Sequence, residues 1–137
     1  MKKESLILKE MCEQSYGVFC NHGYTPKYCD ESESEFECEV NGAKFSYVTF
    51  ENGGWYSASF CFDHNISEEL KRSLEDEFMK IEPENVTFEN LHVLNREVCL
   101  SSAFMTDMFE LEMIELAIKT LENENGIARL LRDIQKS

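Results

Sequence analysis

Residues 35–62, which read EFECEVNGAKFSYVTFENGGWYSASFCF, decide the fold of this chain. Apolar and polar residues alternate along three short runs in this stretch, a pattern typical of strands with one face buried and the other in water. Asn41-Gly42 joins the first two runs, and both residue types tolerate the positive φ that a type I′ hairpin turn requires. The stretch therefore predicts an antiparallel meander of three strands.

The turns between these runs predict which side chains lie opposite one another. Asn41-Gly42 sets up three apolar pairs, namely Val40 with Ala43, Cys38 with Phe45 and Phe36 with Tyr47. A second turn at Asn52-Gly53 would continue the same face, with Tyr47 opposite Ala58, Phe45 opposite Phe60 and Ala43 opposite Phe62. The other face would carry polar side chains: Glu37, Glu39, Lys44, Ser46, Ser57 and Ser59. The apolar face then needs a cover from elsewhere in the chain.

Two segments are predicted to form helices that help to cover this face. Residues 2–22 repeat apolar side chains at helical spacing until Gly23. Ser67, followed by Glu68 and Glu69, predicts the start of a second helix, because a capping hydroxyl and first-turn acids both favour a helix N-terminus. The apolar side of this second helix would carry Leu70, Leu74, Phe78 and Ile81, and Pro83 would end it.

A third helix is predicted from Thr106-Asp107 to Gly126, and its apolar arc is unusually wide. It includes Leu111, Ile114, Ile118 and Leu121, and it spans more of the circumference than packing against one sheet requires. The helix is therefore expected either to lie between the sheet and another element of its own chain or to meet a second subunit. A short amphipathic tail follows the break at residues 123–126.

The remaining segments have weaker patterns. Residues 24–31 are predicted to form a loop, with an added edge strand as the alternative. Residues 86–105 predict two strands joined at Asn95-Arg96, although residues 91–94 also fit a helix. The whole pattern predicts one α+β domain over residues 1–137, in the order α-β-β-β-α-β-β-α. Its core would span about residues 3–121, and residues 122–137 would form the break and the tail.

The charge balance limits the classes of partner. The chain has 27 acidic and 13 basic residues and a formal net charge of −14. Nucleic-acid binding is not expected, because it depends on Lys and Arg that displace counterions from phosphates. The sequence contains neither a signal-peptide pattern nor an apolar window long enough for a membrane span, so we expect a cytoplasmic location and no membrane contact.

No group of residues has the spacing of a known catalytic, cofactor or metal site. The six cysteines occur singly, without any C-x-x-C, and are expected to be reduced thiols. The three histidines are scattered, and the many carboxylates lie on predicted polar faces. Gly53-Gly54 lacks the strand-to-helix setting of a phosphate-binding loop and is interpreted as part of a turn. We therefore expect no metal, no cofactor and no enzymatic activity.

Trp55 is the residue most typical of a binding surface. The predicted register places it on the polar face of the meander, near Val48, where an exposed tryptophan would form a protein-contact patch. The alternative is that residues 24–31 or the C-terminal tail cover it. The predicted protein-binding residues are therefore Trp55 and Val48 on the sheet, with Leu111, Ile114, Ile118 and Leu121 on the third helix for self-association.

In element order, size and acidic balance, from the first helix through Leu121, the chain resembles the YbjN and type III secretion chaperone-like fold family. The resemblance implies a chaperone-like protein-binding role and a C-terminal helix that helps to form a homodimer. Two alternatives remain open: an immunity-type neutraliser of a basic protein in the cytoplasm, and a small hydrolase-like enzyme with Cys, His and carboxylate groups in a cleft.

Overall fold

The hairpin at Asn41-Gly42 forms as predicted in the computed structural model, which describes residues 2–29, 31, 34–80, 88–123 and 126–136. Asn41 has a φ of 47° and Gly42 a φ of 85°, the positive values that a type I′ turn needs. The predicted pairing of Phe36 with Tyr47, of Cys38 with Phe45 and of Val40 with Ala43 is confirmed.

The predicted second turn is wrong: the turn lies one residue earlier, and this shifts the register of β4 against β3 by two residues. The connecting residues are Glu51 and Asn52, so that Phe50 pairs with Gly53, Tyr47 with Tyr56 and Phe45 with Ala58. Gly53 and Gly54 consequently belong to a strand and not to a turn. Because side chains alternate with a period of two, a two-residue shift leaves the same side chains on the apolar face.

The strands and helices have the following bounds. The strands are β1 (Lys27–Tyr28), β2 (Glu35–Val40), β3 (Ala43–Phe50), β4 (Gly53–Cys61), β5 (Asn90–Leu94) and β6 (Glu97–Met105). The helices are α1 (Lys2–Asn21), α2 (Glu68–Met79), α3 (Leu111–Glu122) and α4 (Gly126–Lys136), with a 3-10 turn at Thr106–Met108. The six strands form one antiparallel sheet in the order β1-β2-β3-β4-β6-β5. The α+β class is confirmed, but the sheet has six strands where five were predicted.

The additional strand comes from residues 24–31. Lys27 and Tyr28 pair with Glu37 and Phe36, which confirms the edge-strand alternative for this segment. The turn at Asn95-Arg96 is also confirmed: Asn95 has a φ of 52°, and Leu94 pairs with Glu97. Residues 91–94 are therefore strand and not helix.

The helices largely follow the predicted pattern. Gly23, with a φ of 89°, follows the end of α1, and the Ser67 hydroxyl caps α2 by accepting a hydrogen bond of 3.1 Å from the Leu70 amide. The predictions for Ile81, Pro83 and Val86 lie outside the described residues. The third helix begins at Leu111 and not at Thr106, because the 3-10 turn intervenes, and the predicted tail forms α4.

All four helices pack on the apolar face of the sheet. Helix α1 contacts β2 and β3, α3 contacts β2, α4 contacts β4, and α2 contacts β5. Helix α3 also contacts both α1 and α4, so its wide apolar arc lies between elements of its own chain. This packing is the first of the two arrangements expected for the arc. Ile114, Ala117, Ile118 and Leu121 are fully buried there.

Polar contacts attach α4 to its neighbours. The Arg132 guanidinium donates hydrogen bonds of 2.6 Å to the backbone carbonyls of Leu121 and Asn123, at the end of α3. The Gln135 side-chain amide donates to the Gly42 carbonyl at 3.2 Å. Arg132 thus satisfies carbonyls that the end of a helix leaves without partners.

Two tyrosines in the core are held neutral by their surroundings. Burial raises the pKa of both Tyr47 and Tyr56 above the usual value of 10.0. The nearby Ser15 hydroxyl acts in the opposite direction and lowers the pKa of Tyr47. Neither the Ser15 nor the Tyr47 hydroxyl makes a hydrogen bond of good geometry with another described group. An unsatisfied buried hydroxyl costs about 1–3 kcal/mol.

We expect the free energy of unfolding to fall as the pH rises above about 10. Above the unfolded pKa of 10.0 the unfolded chain releases tyrosine protons that the folded chain retains, so both tyrosines lower stability as the pH rises, Tyr47 by up to about 1.4 kcal/mol per pH unit. Cys38, whose pKa burial raises from 9.0 to about 11, adds to the fall from about pH 9. Urea denaturation at stepped pH measures the slope.

The variant Tyr47→Phe is the control for this pH dependence. It should be as stable as the wild type at neutral pH, or about 1 kcal/mol more stable, because it removes an unsatisfied hydroxyl. Its fall in stability above pH 10 should be shallower by the contribution of one tyrosine. An identical slope in both proteins would contradict the assignment.

Candidate functional site

The second face of the sheet, which we call the open face, carries the exposed side chains of Phe50, Trp55 and Met105, whereas Ser57 and Ser101 in its middle are buried. Its middle rows consist of small side chains. Ser46, Ser57 and Ser101 are neighbours in one row, and Ser59 and Cys99 pair in the next. Small side chains on β3 and β4 leave this part of the face with little relief, whereas Cys99 and Ser101 on β6 line a hollow.

One end of this open face is apolar. Val48 pairs with Trp55, which pairs with Ala103, and in the next row Phe50 pairs with Gly53, which pairs with Met105. Trp55 is 39% exposed, Phe50 47% and Met105 49%. Cross-strand neighbours lie within contact distance on one face, so these side chains form one continuous surface. We call Val48, Phe50, Trp55, Ala103 and Met105 the open-face patch.

The patch is held in place by the β3-β4 turn and the end of β6. The backbone amide and the hydroxyl of Thr106 both donate to the Asn52 carbonyl, at 2.9 and 2.7 Å. Gly53 has no side chain because its Cα lies against the Phe104 carbonyl, and a Cβ there would overlap that oxygen.

A hollow extends the open-face patch toward β5. Trp55 lines it on one side, and α2 and β5 line it on the other. Its lining also includes Lys71, Glu75, His92, Leu94, Cys99 and Ser101. Leu94 is among the most exposed apolar side chains described. The accessible apolar surface therefore continues from the patch across the hollow.

Acidic residues flank the open-face patch. Glu51 lies in the turn next to Phe50, Asp107 follows Thr106, and both are exposed. Glu35 pairs with Val48 at the end of the same row. Lys44 lies toward the opposite end of the sheet, where it pairs with Glu37 at 3.0 Å. Lys71 lines the hollow beside Trp55, and the acidic residue Glu75 lines the same hollow.

The predicted binding residues divide into two groups. Trp55 and Val48 lie together on the open face as predicted, and neither residues 24–31 nor the tail covers Trp55 among the residues described. The four residues predicted on the third helix do not form an exposed surface. Ile114, Ile118 and Leu121 are fully buried within the chain, and Leu111 is half-buried, because α3 lies between α1 and α4.

The sequence interpretation missed Phe50, Ala103 and Met105. Phe50 could have been found, because it lies two residues after Val48 and so points to the same side of its strand. Ala103 and Met105 join the patch only because β6 pairs with β4, which brings together residues distant in sequence. No local pattern specifies that pairing.

One pair of chemically reactive side chains lies close together. His92 and Cys99 are cross-strand neighbours and line the same hollow as Glu75. They share no hydrogen bond, and the Cys99 thiol is directed instead to the Leu100 carbonyl at 3.9 Å. A cysteine nucleophile needs a base within hydrogen-bond reach, so this pair lacks the geometry of an activated thiol.

The other cysteines do not form a reactive group either. All six are thiols and not disulfides, with Cys12 and Cys38 buried and Cys20, Cys29 and Cys61 exposed. Burial raises the pKa of Cys38 to about 11, which keeps its thiol protonated at neutral pH. Within the described ranges, His, Cys, Asp and Glu side chains do not cluster in a way that could hold a metal ion.

Two further findings concern membrane spans and similarity to known proteins. No helix among the described residues has the length and apolar character needed to cross a membrane. Comparison of the chain with protein families, with curated proteins and with solved structures finds no match.

Proposed function

We propose that this chain is a non-enzymatic domain that binds another protein through the open-face patch. One observation carries the proposal: exposed apolar side chains, centred on Trp55, are cross-strand neighbours on the open face of the sheet. Contiguous exposed apolar surface of this kind is typical of protein interaction sites. Tryptophan is also the residue type most enriched among side chains that dominate binding energy.

A chaperone-like role is the form of this function that we favour. The open-face patch would hold an apolar segment of a partner chain, and the net charge of −14 would keep the complex in solution. The resemblance to the YbjN and type III secretion chaperone-like family supports this proposal, as do the size and element order. We also propose a cytoplasmic location and a homodimer, whose interface would lie away from the open-face patch and would not use the buried residues of α3.

A capture experiment tests the role of the patch. The immobilised wild-type chain is exposed to the cytoplasmic extract of its native cell, and retained proteins are identified by mass spectrometry. The variant Phe50→Ser with Met105→Ser should lose a specific partner, because serine removes apolar contact area without touching the core. A single specific partner whose capture depends on these two residues is the expected result.

The control variant carries Ile7→Ser with Leu116→Ser. Both residues are exposed and apolar, but they belong to helices α1 and α3, which pack on the other face of the sheet and do not line the hollow beside Trp55. This control should retain the partner as the wild type does. Equal retention by the patch variant and the control would show that binding does not involve the open-face patch, and the proposal would then be wrong.

The charge favours a second candidate, an immunity-type neutraliser of a basic protein. A net charge of −14 accelerates encounter with a basic partner and makes binding strongly salt-dependent. Capture through the open-face patch should instead weaken only modestly as the salt concentration rises, because its apolar contacts are not screened. Complete loss of the complex at high salt favours the neutraliser, and a complex that persists there favours capture through the patch.

A further inference from the structure

Glu51 and Asp107 are exposed beside the open-face patch, and we call them its acidic rim. From this rim we infer that the occupant of the patch is a cationic segment of a partner protein. Apolar side chains of the segment would dock on Trp55, and its Lys or Arg side chains would meet Glu51 and Asp107. The inference rests on the proposed function and adds the chemistry of the partner. It depends on the position of charges around the patch, and not only on the net charge of the chain.

The charges around the patch are unevenly distributed. Glu51 is adjacent to Phe50 in sequence, and Asp107 is two residues from Met105. The two hydrogen bonds from Thr106 to the Asn52 carbonyl hold the segments that carry these acids side by side. An apolar surface beside two exposed carboxylates is complementary to a segment in which basic and apolar residues are interspersed.

The same charges disfavour two other occupants. A second copy of this chain would bring Glu51 and Asp107 against an equally acidic surface, with a net charge of −14 on each partner. Like charges that face one another across an interface cost free energy and suppress association. An acidic segment would meet the same repulsion. An uncharged apolar segment would gain the contact with Trp55 but nothing from the rim.

Trp55 provides a direct measure of binding, because it is the single tryptophan of the chain and lies within the patch. The probes are three short synthetic peptides without tryptophan, in which leucine alternates with lysine, with glutamine or with glutamate. The emission of Trp55 is recorded as each peptide is added at low salt. The lysine peptide should bind about tenfold more tightly than the glutamine peptide, as expected for two exposed charge pairs.

A pair of charge-reversal variants distinguishes the rim from the overall charge. The rim variant carries Glu51→Lys with Asp107→Lys. The control carries Glu10→Lys with Glu115→Lys, which changes the net charge equally at exposed positions on α1 and α3. The rim variant should bind the lysine peptide about tenfold more weakly, and the control should stay within about twofold of the wild type.

Several results would overturn the inference. The first is an equal loss of affinity for the lysine peptide in the rim variant and the control. The second is binding of the glutamate peptide that is as tight as, or tighter than, binding of the lysine peptide. The third is an emission of Trp55 that does not change when the lysine peptide is added. Tighter binding of the glutamine peptide would overturn the cationic partner but would leave the proposed function in place. The proposed function is judged separately, by whether Phe50→Ser with Met105→Ser abolishes capture of the native partner.

Discussion

Replacing Gly53 with alanine is expected to lower the free energy of unfolding by about 3 kcal/mol. The Cβ of alanine would overlap the Phe104 carbonyl and would come within 3.0 Å of the Met105 Cα. Both of these groups are backbone of the paired strand β6, so neither can move aside without disturbing the pairing of β4 with β6. Urea denaturation followed by far-UV circular dichroism measures the loss.

Gly54 and Gly17 extend this comparison. Alanine at Gly54 would bring its Cβ to 2.6 Å from the Val48 carbonyl and 2.7 Å from the Phe104 ring, and a similar loss is expected. Gly17 is the matched control, because it lies within α1 and a Cβ added there would meet no described atom within 4 Å beyond its own helix backbone and chain neighbours. Gly17→Ala should stabilise the protein by about 0.5–1 kcal/mol. An unchanged stability in Gly53→Ala would contradict the register of β4 against β6.

The glycines also explain why one turn could be predicted from the sequence and the next could not. Asn41-Gly42 specifies its own turn, because both residues accept the positive φ of type I′. Asn52-Gly53 has similar residue types, but there the glycine is needed for close approach to β6. A two-residue shift preserves the apolar face, so the hydrophobic pattern cannot distinguish the two registers.

Only the part of the site that a local sequence pattern specifies could be predicted. Alternation along β3 and β4 places Val48 and Trp55 on the open face without reference to the rest of the chain. Whether the apolar arc of α3 is exposed could not be predicted in this way. A wide arc is compatible with contact to a second subunit and also with packing between α1 and α4, which is what the structure has. Helix neighbours depend on the path of the whole chain, which periodicity does not specify.

Phe45→Ala is expected to destabilise the protein by about 3–5 kcal/mol. Phe45 is fully buried on the helix-covered face of β3. Its ring centroid lies 4.7 Å from that of Phe19 on α1 and 5.9 Å from that of Tyr56 on β4. Truncation would leave a cavity between the helix layer and the sheet, and close-packed aromatic neighbours can fill such a cavity only in part.

Phe50→Ala is the matched control, because it makes the same chemical change on the same strand. Phe50 lies on the open face, so its loss should cost less than about 1 kcal/mol. The difference between the two variants measures the asymmetry of the sheet, with one face packed under four helices and the other in solvent. Equal losses would mean that Phe50 is also covered, and the open-face patch would then be inaccessible to any partner. The comparison therefore tests the fold and the premise of the proposed function together, before a partner has been identified.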